Sequence, residues 1–267
     1  MHATGLRVAL RPQDRRRGIQ GDRRLSPVPT MINFSCFKIS IKVAKGMVGY
    51  FRFPEQRAEW GGPFNGQEFR MRIFRELHRT YGFNTVIETG AYRGVTTAFL
   101  ADETGGKVRT VEAEPWSYGY CRCRFLLHRR ISAEFGDSRK FLEHVGASSS
   151  EPSFFYLDAH WGDDLPLRDE LEQILTRWDT PVIMIDDFKV PDDAHYGFDD
   201  YGKDRTLALD YIEPAIEKFR PSVFFPAARG AEETGARRGC VVLIGRKVML
   251  PKQSFATLRE YRSRTCG

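Results

Sequence analysis

The sequence predicts an α/β fold in which helices cover both faces of a mostly parallel sheet. Two observations support this prediction. Five short apolar runs alternate with segments of helical length, an order typical of parallel strands joined by crossover helices. Two further apolar runs near the end of the chain are joined by a Gly-rich loop with no room for a crossover helix, so one of them should run antiparallel.

The elements follow in order along the chain. The first predicted helix spans 67–81, where apolar residues recur at helical spacing (Phe69, Ile73, Phe74 and Leu77). Strands are predicted at 84–88, 107–113, 131–135, 153–158 and 181–186, with helices at 94–103, 115–129, 138–145 and 165–178. A helix at 204–219, a strand at 222–227, a loop at 229–239 and a strand at 240–245 complete the sheet.

The positive charge is concentrated at the start of the chain. The net charge is +6, and residues 1–30 hold seven Arg and two Asp, which gives that segment +5. We interpret 1–30 as a basic, disordered leader or an over-extended start before Met31 or Met47, with a targeting segment as the alternative. An irregular or weakly amphipathic N-terminal extension is expected at 31–65, one folded domain at 66–247 and a C-terminal tail at 248–267.

Charge, hydropathy and cysteine content together exclude several classes of protein. The chain outside the leader carries only +1, which argues against a nucleic-acid partner. There is no apolar run long enough to span a membrane and no apolar stretch of a secretory signal. The chain has five Cys residues, an odd number, and contains no C-x-x-C pair. Both observations favour reduced thiols over disulfide bonds. We therefore expect a cytoplasmic protein without a membrane partner, and leave a homo-oligomer open.

Acidic residues stand at or just past the carboxyl end of every one of the five predicted parallel strands. They are Glu88, Glu112, Asp137, Asp158 and the pair Asp186–Asp187. The carboxyl ends of parallel strands meet at one edge of the sheet, where ligands bind in open α/β folds. Helix capping explains one such acid more easily than five, because each must be hydrated, paired or bound to a ligand. The sequence therefore predicts a functional cleft at this edge.

The stretch VIETGAYRGVTTAFLAD at 86–102 indicates what the cleft binds. Its pattern is E-x-G-x-x-x-G, whereas a dinucleotide fingerprint is G-x-G-x-x-G. Glu88 would repel a pyrophosphate and suits a ligand with a cationic end. Glu112, 24 residues further on, is placed like the acid that accepts both hydroxyls of a ribose. An adenosine with a cationic amino-acid tail satisfies both carboxylates, and S-adenosylmethionine is such a molecule.

The order of five segments carries a family resemblance. VIETGAYRG, VRTVEAEP, FGDSRKFL, FFYLDAH and VIMIDDF together resemble the class I S-adenosylmethionine-dependent methyltransferases, over about 66–247, and look most similar to the macrocin-type metal-dependent O-methyltransferases. The resemblance implies a Rossmann-like sheet of seven strands whose last strand is antiparallel. It implies that Glu88, Gly90 and Gly94 lie against the methionine part of the cofactor, Glu112 by the ribose, and Asp137 with Ser138 by the adenine. Ala91 and Asp158 complete the predicted cofactor site.

Carboxylates also suggest a metal in the second half of the sheet. Asp158 follows one predicted strand and Asp186–Asp187 follow the next, so three carboxylates should converge. Oxygen ligands of this kind suit Mg²⁺ or a similar hard cation. In the macrocin-type enzymes the acids at these positions hold the metal. The alternative is that Asp186 or Asp187 caps a turn while Asp158 contacts the cofactor.

His160 stands two residues after Asp158, where the relatives often have a second acid. An imidazole titrates near neutral pH and can accept the proton that a hydroxyl loses when it is methylated. We predict that His160 and Asp158 are the catalytic residues. Two alternatives stay open, in which His160 is a metal ligand or merely packs with Trp161.

The segment 188–206 is long for a connection between a strand and a helix. We interpret it as a lid over the acceptor, with His195, Tyr196 and Tyr201 as contacts, or else as an ordinary surface loop. GGPFNGQ at 61–67 is expected to cover the cofactor. The predicted activity is O-methylation of a small hydroxylated or sugar-containing metabolite with Mg²⁺ assistance. The alternatives are a nucleic-acid methyltransferase that uses the leader, and a methyltransferase fold without methyl transfer.

Overall fold

One eight-stranded sheet organises the chain. The computed structural model describes residues 34–146, 151–160 and 164–262, so the predicted leader and Trp161 lie outside the described residues. The strand order is β3-β2-β1-β4-β5-β7-β6-β8. Strands β1 to β5 run parallel to one another, and β7 lies antiparallel between β5 and β6. The Rossmann-like, mostly parallel fold is therefore confirmed, with eight strands rather than seven.

The elements agree closely with those predicted. The strands are β1 Thr85–Thr89, β2 Lys107–Glu112, β3 Ile131–Phe135, β4 Ser153–Leu157, β5 Pro181–Ile185, β6 Ser222–Pro226, β7 Val241–Ile244 and β8 Leu258–Glu260. The helices are α1 Phe34–Arg52, α2 Glu68–Tyr81, α3 Val95–Thr104, α4 Pro115–Arg124, α5 Ser138–His144, α6 Leu167–Arg177 and α7 Leu209–Phe219. Two 3₁₀ segments, Pro54–Gly61 and Pro63–Gly66, join α1 to α2.

Hydrophobic side chains fill both faces of the sheet, as expected for a buried parallel sheet. Alternate residues along β4 show the division, since Phe154 and Tyr156 belong to one buried cluster and Phe155 and Leu157 to the other. Every residue of β4 and β5 is buried. The rigid centre of the sheet thus fixes the positions of the acids that follow these two strands.

The predicted C-terminal tail contains an unexpected strand. Residues Leu258–Glu260 form β8, which pairs antiparallel with β6 at the end of the sheet. Only Leu258 of the three is buried, so the strand lacks the continuous apolar pattern that marks the central strands. A three-residue strand with two exposed charged side chains gives little signal in a sequence.

Residues 34–52, within the extension expected to be irregular or weakly amphipathic, form a regular helix. This stretch is the 19-residue helix α1, which packs against α4. Glycines set the close approach of the two helices. A Cβ atom on Gly46 would lie 1.9 Å from the carbonyl oxygen of Trp116, and one on Gly119 would lie 2.0 Å from the carbonyl oxygen of Val43. The backbones are therefore in direct contact, which no local pattern reveals.

Replacing Gly119 with alanine should weaken this contact. Because the clash is with backbone, α1 must shift, and overpacking of this kind typically costs about 1–3 kcal/mol. Urea unfolding followed by circular dichroism would measure the loss. Lys42→Ala, an exposed change on α1, is the control and should stay within about 0.5 kcal/mol of the parent. Equal stability of Gly119→Ala and the parent would show that α1 does not dock this way.

Among the described helices, none combines the length and apolar character needed to cross a bilayer.

Candidate functional site

A narrow cleft opens where the strand order reverses between β1 and β4. This reversal is the switch point at which open α/β sheets bind their ligands. The cleft is lined by Trp60, Gly62, Asn65, Gly90, Ala91, Tyr92, Arg93, Val95, Thr96, Tyr156 and Asp158. Of the predicted cofactor residues, Gly90, Ala91 and Asp158 line it. The glycine turn after β1 and the acid after β4 therefore face the same space.

Gly90 is required by the geometry of the turn. Its φ is +84°, and a Cβ atom there would lie 2.2 Å from the carbonyl oxygen of Asp158. The backbone of the turn also closes onto β2, since the amides of Gly90 and Ala91 donate to the Val111 carbonyl at 3.0 and 3.2 Å. Three strand ends are thus held together by one residue without a side chain.

Glu112 lies beside the turn, although it does not line the cleft. One carboxylate oxygen accepts the amide of Tyr92 at 2.6 Å, and the other accepts the amide of Glu114 at 2.8 Å. Burial of the carboxyl raises the pKa of Glu112. A carboxylate has about four lone-pair sites, so two backbone bonds leave capacity for ligand hydroxyls. The position agrees with the predicted ribose contact, which stays a prediction.

Glu88 is buried beneath the cleft and is not part of its lining. Its carboxylate accepts the hydroxyl of Thr97 on α3. Burial raises the pKa of Glu88 to about 7, an effect that the nearby Glu112 adds to and the Thr97 bond reduces. A cationic group placed against Glu88 would favour the charged carboxylate. The predicted contact with the methionine part of a cofactor therefore requires the cleft to open further.

Gly94 and Asp137 both make contacts within the described residues that support the fold itself. Gly94, with φ +73°, precedes α3, and a Cβ atom there would lie 2.4 Å from the ring of Phe125. Asp137 caps α5 by accepting the amides of Arg139 and Lys140, and it pairs with the Arg139 side chain. The Arg139 hydrogen bonds lower the pKa of Asp137. A helix-capping role therefore accompanies any adenine contact.

Glu170 is a buried acid that sequence reasoning missed. It lies on α6, is 1% exposed, and neither carboxylate oxygen has a hydrogen-bond partner within the described residues. Burial raises the pKa of Glu170 to about 7, and the neighbouring hydroxyls of Ser138 and Thr89 offset this only in part. Ser138, predicted near the adenine, thus lies between the β3 end and Glu170. Sequence reasoning missed Glu170 because the pattern of α6 is that of an ordinary amphipathic helix, in which an acid is expected to be exposed.

Glu170→Gln should reduce the loss of stability that accompanies a rise in pH from about 4.5 to 7. A raised pKa means that the folded protein holds the Glu170 proton more tightly, so the free energy of unfolding falls as pH rises from about 4.5 to 7. At 1.36 kcal/mol per pKa unit, this residue accounts for a decrease of about 2 kcal/mol between pH 5 and pH 8. Urea unfolding at both pH values checks it. Glu172→Gln, exposed on the same helix, should leave the decrease unchanged.

Three side chains converge beside the cleft. A ligand atom each of Asp158, His160 and Asp187 lies within 4.8 Å of the others. His160 is 4% exposed, and neither ring nitrogen has a hydrogen-bond partner among the described residues. Its Nε2 lies 3.7 Å from Asp158 Oδ1. Burial lowers the pKa of His160, so the neutral ring presents a free lone pair.

Two features of this group of three side chains are unusual, one a pKa and the other a backbone conformation. Burial and the neighbouring Asp187 carboxylate raise the pKa of Asp158 well above its usual range. Asp187 has a φ of +52°, a left-handed conformation that is uncommon outside glycine. Such residues gather at functional sites, where the surrounding structure holds them in place. Two carboxylates and an unpaired imidazole therefore share a small volume.

Asp186 points away from the trio. Its carboxylate accepts from the guanidinium of Arg70 on α2, from the Tyr156 hydroxyl, and from the Asp187 amide at 2.7 Å. Asp186 and Arg70 are 0% and 2% exposed, respectively. The structure thus brings together Asp158 and Asp187 of the predicted metal set with His160, while Asp186 forms a buried ion pair. Adjacent residues at a strand end face opposite sides, which explains the division.

Arg238 and Asp199 complete the site and were not predicted. Arg238 Nε donates to Asp187 Oδ1 at 2.5 Å, and its terminal nitrogen donates to Asp199. The loop that carries Arg238 is also tied to α2, because Glu233 accepts the amide of Phe69 at 3.0 Å. The nearest sequence signal was the acid-rich segment 188–206, which gave no indication of its arginine partner.

The predicted lid lies against the trio. Leu207 donates its amide to Asp199, and Asp199 donates its own to Asp187, so the segment is firmly hydrogen-bonded. The Tyr201 hydroxyl lies 2.8 Å from the His160 carbonyl and 2.6 Å from Asp199 Oδ2, and its one proton serves one acceptor at a time. Tyr196 is buried with its hydroxyl on the Ala228 carbonyl, whereas His195 is exposed. Of the three predicted contacts, Tyr201 lies nearest the site.

The GGPFNGQ segment forms one wall of the cleft through Gly62 and Asn65. Phe64 anchors it, because the ring is fully buried and packs edge-on against Tyr156 at 5.1 Å between ring centres. The Phe64 amide also donates to Thr96 Oγ1 at 3.0 Å. The segment therefore lines the cleft, and its expected cover over a cofactor stays a prediction.

No protein-family model matches the chain, and no match is found among curated proteins. Solved structures similar to it include an O-methyltransferase from Bacillus cereus in complex with SAH, at 19% identity over 82% of this chain and 93% of that chain, with a TM-score of 0.47. The O-methyltransferase TomG from Streptomyces achromogenes, in complex with SAM, has 12% identity over 76% and 89%, with a TM-score of 0.47. A SAM-dependent methyltransferase from Aquifex aeolicus has 16% identity over 67% and 89%, with a TM-score of 0.45. These low identities do not by themselves assign a function.

Proposed function

We propose that the protein is an S-adenosylmethionine-dependent O-methyltransferase that acts on a small hydroxylated or sugar-containing acceptor with the help of a divalent cation. The observation that carries the proposal is the cleft at the β1–β4 switch point, where the Gly90 turn meets Asp158 and Glu112 lies alongside. This arrangement offers carboxylates to a ligand that has hydroxyls and a cationic end.

The bound cofactor would supply an electrophilic methyl group on a sulfonium. For the acceptor oxygen to take up that methyl group, the acceptor hydroxyl would have to lose its proton. His160 suits the role of proton acceptor because its ring is neutral and its nitrogens are unpaired. Asp158, 3.7 Å away, would stabilise the resulting imidazolium.

The trio fits a divalent cation. Two carboxylates and an unpaired imidazole nitrogen form a mixed oxygen and nitrogen donor set. An imidazole ligand suits a transition metal such as Mn²⁺ or Zn²⁺ better than Mg²⁺, which prefers oxygen. Asp158 and Asp187 would hold the ion, joined by His160 in the arrangement where His160 is a ligand rather than the proton acceptor, and the ion would lower the pKa of a bound acceptor hydroxyl. Arg238 is the competing cation, because its guanidinium already neutralises Asp187.

Glu112→Gln should weaken cofactor binding at least tenfold. The amide replaces a charged acceptor of hydroxyl groups, and one charge-assisted hydrogen bond contributes about 1.5–3 kcal/mol. Calorimetric titration with S-adenosylhomocysteine gives the dissociation constant. Glu134→Gln, on β3 with its carboxylate paired to Arg109, is the matched control and should bind like the parent. No saturable binding by the parent protein would contradict the proposed function, and an unchanged constant in Glu112→Gln would contradict the role of Glu112.

Asp187→Asn should reduce Mn²⁺ affinity at least tenfold, because it removes one of two charged ligands. Arg238→Gln should raise the affinity, since it removes the competing guanidinium. Mn²⁺ titration followed by electron paramagnetic resonance reports binding without requiring turnover, and Mg²⁺ serves as a second probe. Asp179→Asn, an exposed acid paired with Lys247, is the control. Methyl transfer that survives EDTA, together with no Mn²⁺ binding, would remove the cation from the proposal and leave the methyltransferase.

A further inference from the structure

Helix α1 has two apolar faces, and within the described residues 34–146, 151–160 and 164–262 only one of them is covered. The covered face packs on α4 through Gly46 and Gly49, both buried. The opposite face is exposed and consists of Phe37, Ile41, Ala44, Val48 and Phe51. These residues recur at steps of three and four, so they form a single stripe along the helix. Phe37 is 57% exposed, Val48 61% and Phe51 69%.

Basic residues accompany the exposed stripe. At 100° per residue, Lys38, Lys42, Lys45 and Arg52 fall together on one flank, between the stripe and the covered face. All four are exposed, and α1 contains no acidic residue. The first acid after the helix is Glu55. The 30 residues at the start of the chain add seven Arg and two Asp. The chain up to Arg52 is therefore strongly cationic.

The charge distribution decides between occupants of the stripe. In a dimer formed across the stripes, two rows of lysine would be brought close together without an acid in either helix to offset them. A nucleic acid would satisfy the lysines but leave the Phe and Val side chains exposed. An anionic lipid surface satisfies both, because phosphate groups meet the basic flank while apolar side chains enter the boundary between headgroups and acyl chains.

We propose that α1 binds the surface of an anionic membrane, with the helix lying in the plane of the interface. Its 19 residues make a helix about 28 Å long, sufficient for the whole stripe to contact the lipid at once. A membrane partner of this kind differs from the expectation, drawn from composition, of a protein without one. The inference is independent of the proposed enzymatic activity.

Sedimentation of the full-length protein with vesicles tests the inference. Vesicles that contain phosphatidylserine should bind the protein at least tenfold more strongly than vesicles of phosphatidylcholine alone, and added salt should weaken binding. The double variant Phe37→Ser/Phe51→Ser should lose at least tenfold in affinity for the anionic vesicles. The control Leu127→Ser/Met249→Ser removes two exposed apolar side chains outside α1 and should bind like the parent. Unchanged circular dichroism would show that both variants fold.

Four outcomes would overturn the inference. One is the absence of binding to anionic vesicles by the parent protein. A second is full binding by Phe37→Ser/Phe51→Ser, which would assign the attraction to the Arg-rich residues 1–30. A third is a dimer in solution that Phe37→Ser/Phe51→Ser dissociates, which would assign the stripe to a second copy of the chain. The fourth is a strong preference for RNA over vesicles that is lost in the same variant.

Discussion

Replacing Arg70 with methionine is expected to lower the free energy of unfolding by about 3–5 kcal/mol, the range found when one partner of a buried ion pair is removed. The change leaves the Asp186 carboxylate, which is fully buried, without its cation. The Tyr156 hydroxyl and the Asp187 amide would remain as partners of that carboxylate. They donate hydrogen bonds but carry no charge, so most of the desolvation penalty would stay uncompensated.

Chemical unfolding of three variants would measure this effect. Arg72→Met is the matched control, because Arg72 lies on the same helix and its pair with Glu68 is exposed. Surface pairs of this kind contribute about 0–1 kcal/mol. Adding Asp186→Asn to Arg70→Met should recover part of the stability, since it removes the unpaired charge. A loss for Arg70→Met no larger than that for Arg72→Met would show that Asp186 has another cation partner in solution.

His160→Gln is expected to lower the rate of methyl transfer by about 10²–10⁴-fold, the usual contribution of a general base. Glutamine keeps a similar size and polarity but cannot accept the proton. Cofactor affinity should be unchanged, because His160 does not line the cleft. Single-turnover measurement of S-adenosylhomocysteine formation isolates the chemical step. His144→Gln, an exposed change on α5, should transfer methyl groups like the parent.

The same variant separates the two roles of His160. Loss of Mn²⁺ affinity in His160→Gln would assign the imidazole to the metal, whereas loss of rate with unchanged Mn²⁺ affinity would assign it to proton transfer. Unchanged rate and unchanged metal affinity together would mean that His160 only packs in the loop. The expected catalytic role would then be wrong.

The central sheet could be predicted because its signals are local. Each of β1 to β5 is a short, largely apolar run with an acid at or near its carboxyl end, and apolar runs of this kind are typical of a parallel sheet buried on both faces. Gly90 could be singled out for the same reason, since a turn directly after a strand needs a backbone conformation that glycine adopts freely. The positions of Glu112 and Asp158 beside that turn followed from the sheet.

The different partners of Asp186 and Asp187 could not be predicted from the sequence. The two residues are adjacent and identical, and only the partners brought by other elements distinguish them. Arg70 reaches Asp186 from α2, and Arg238 reaches Asp187 from the loop before β7. Such pairings depend on contacts between residues more than 50 positions apart in the chain. For the same reason, no local sequence pattern predicted that α1 packs against α4 through Gly46 and Gly119.

The short strand β8 has a practical consequence for anyone who shortens the protein. It covers the outer edge of β6, whose residues Val223 to Phe225 are apolar and buried. A chain that ended near residue 247 would leave the backbone groups of β6 open to pairing with another molecule, which is a recognised route to aggregation. With Arg259 and Glu260 on β8, the full chain instead ends its sheet in a three-residue, charged border.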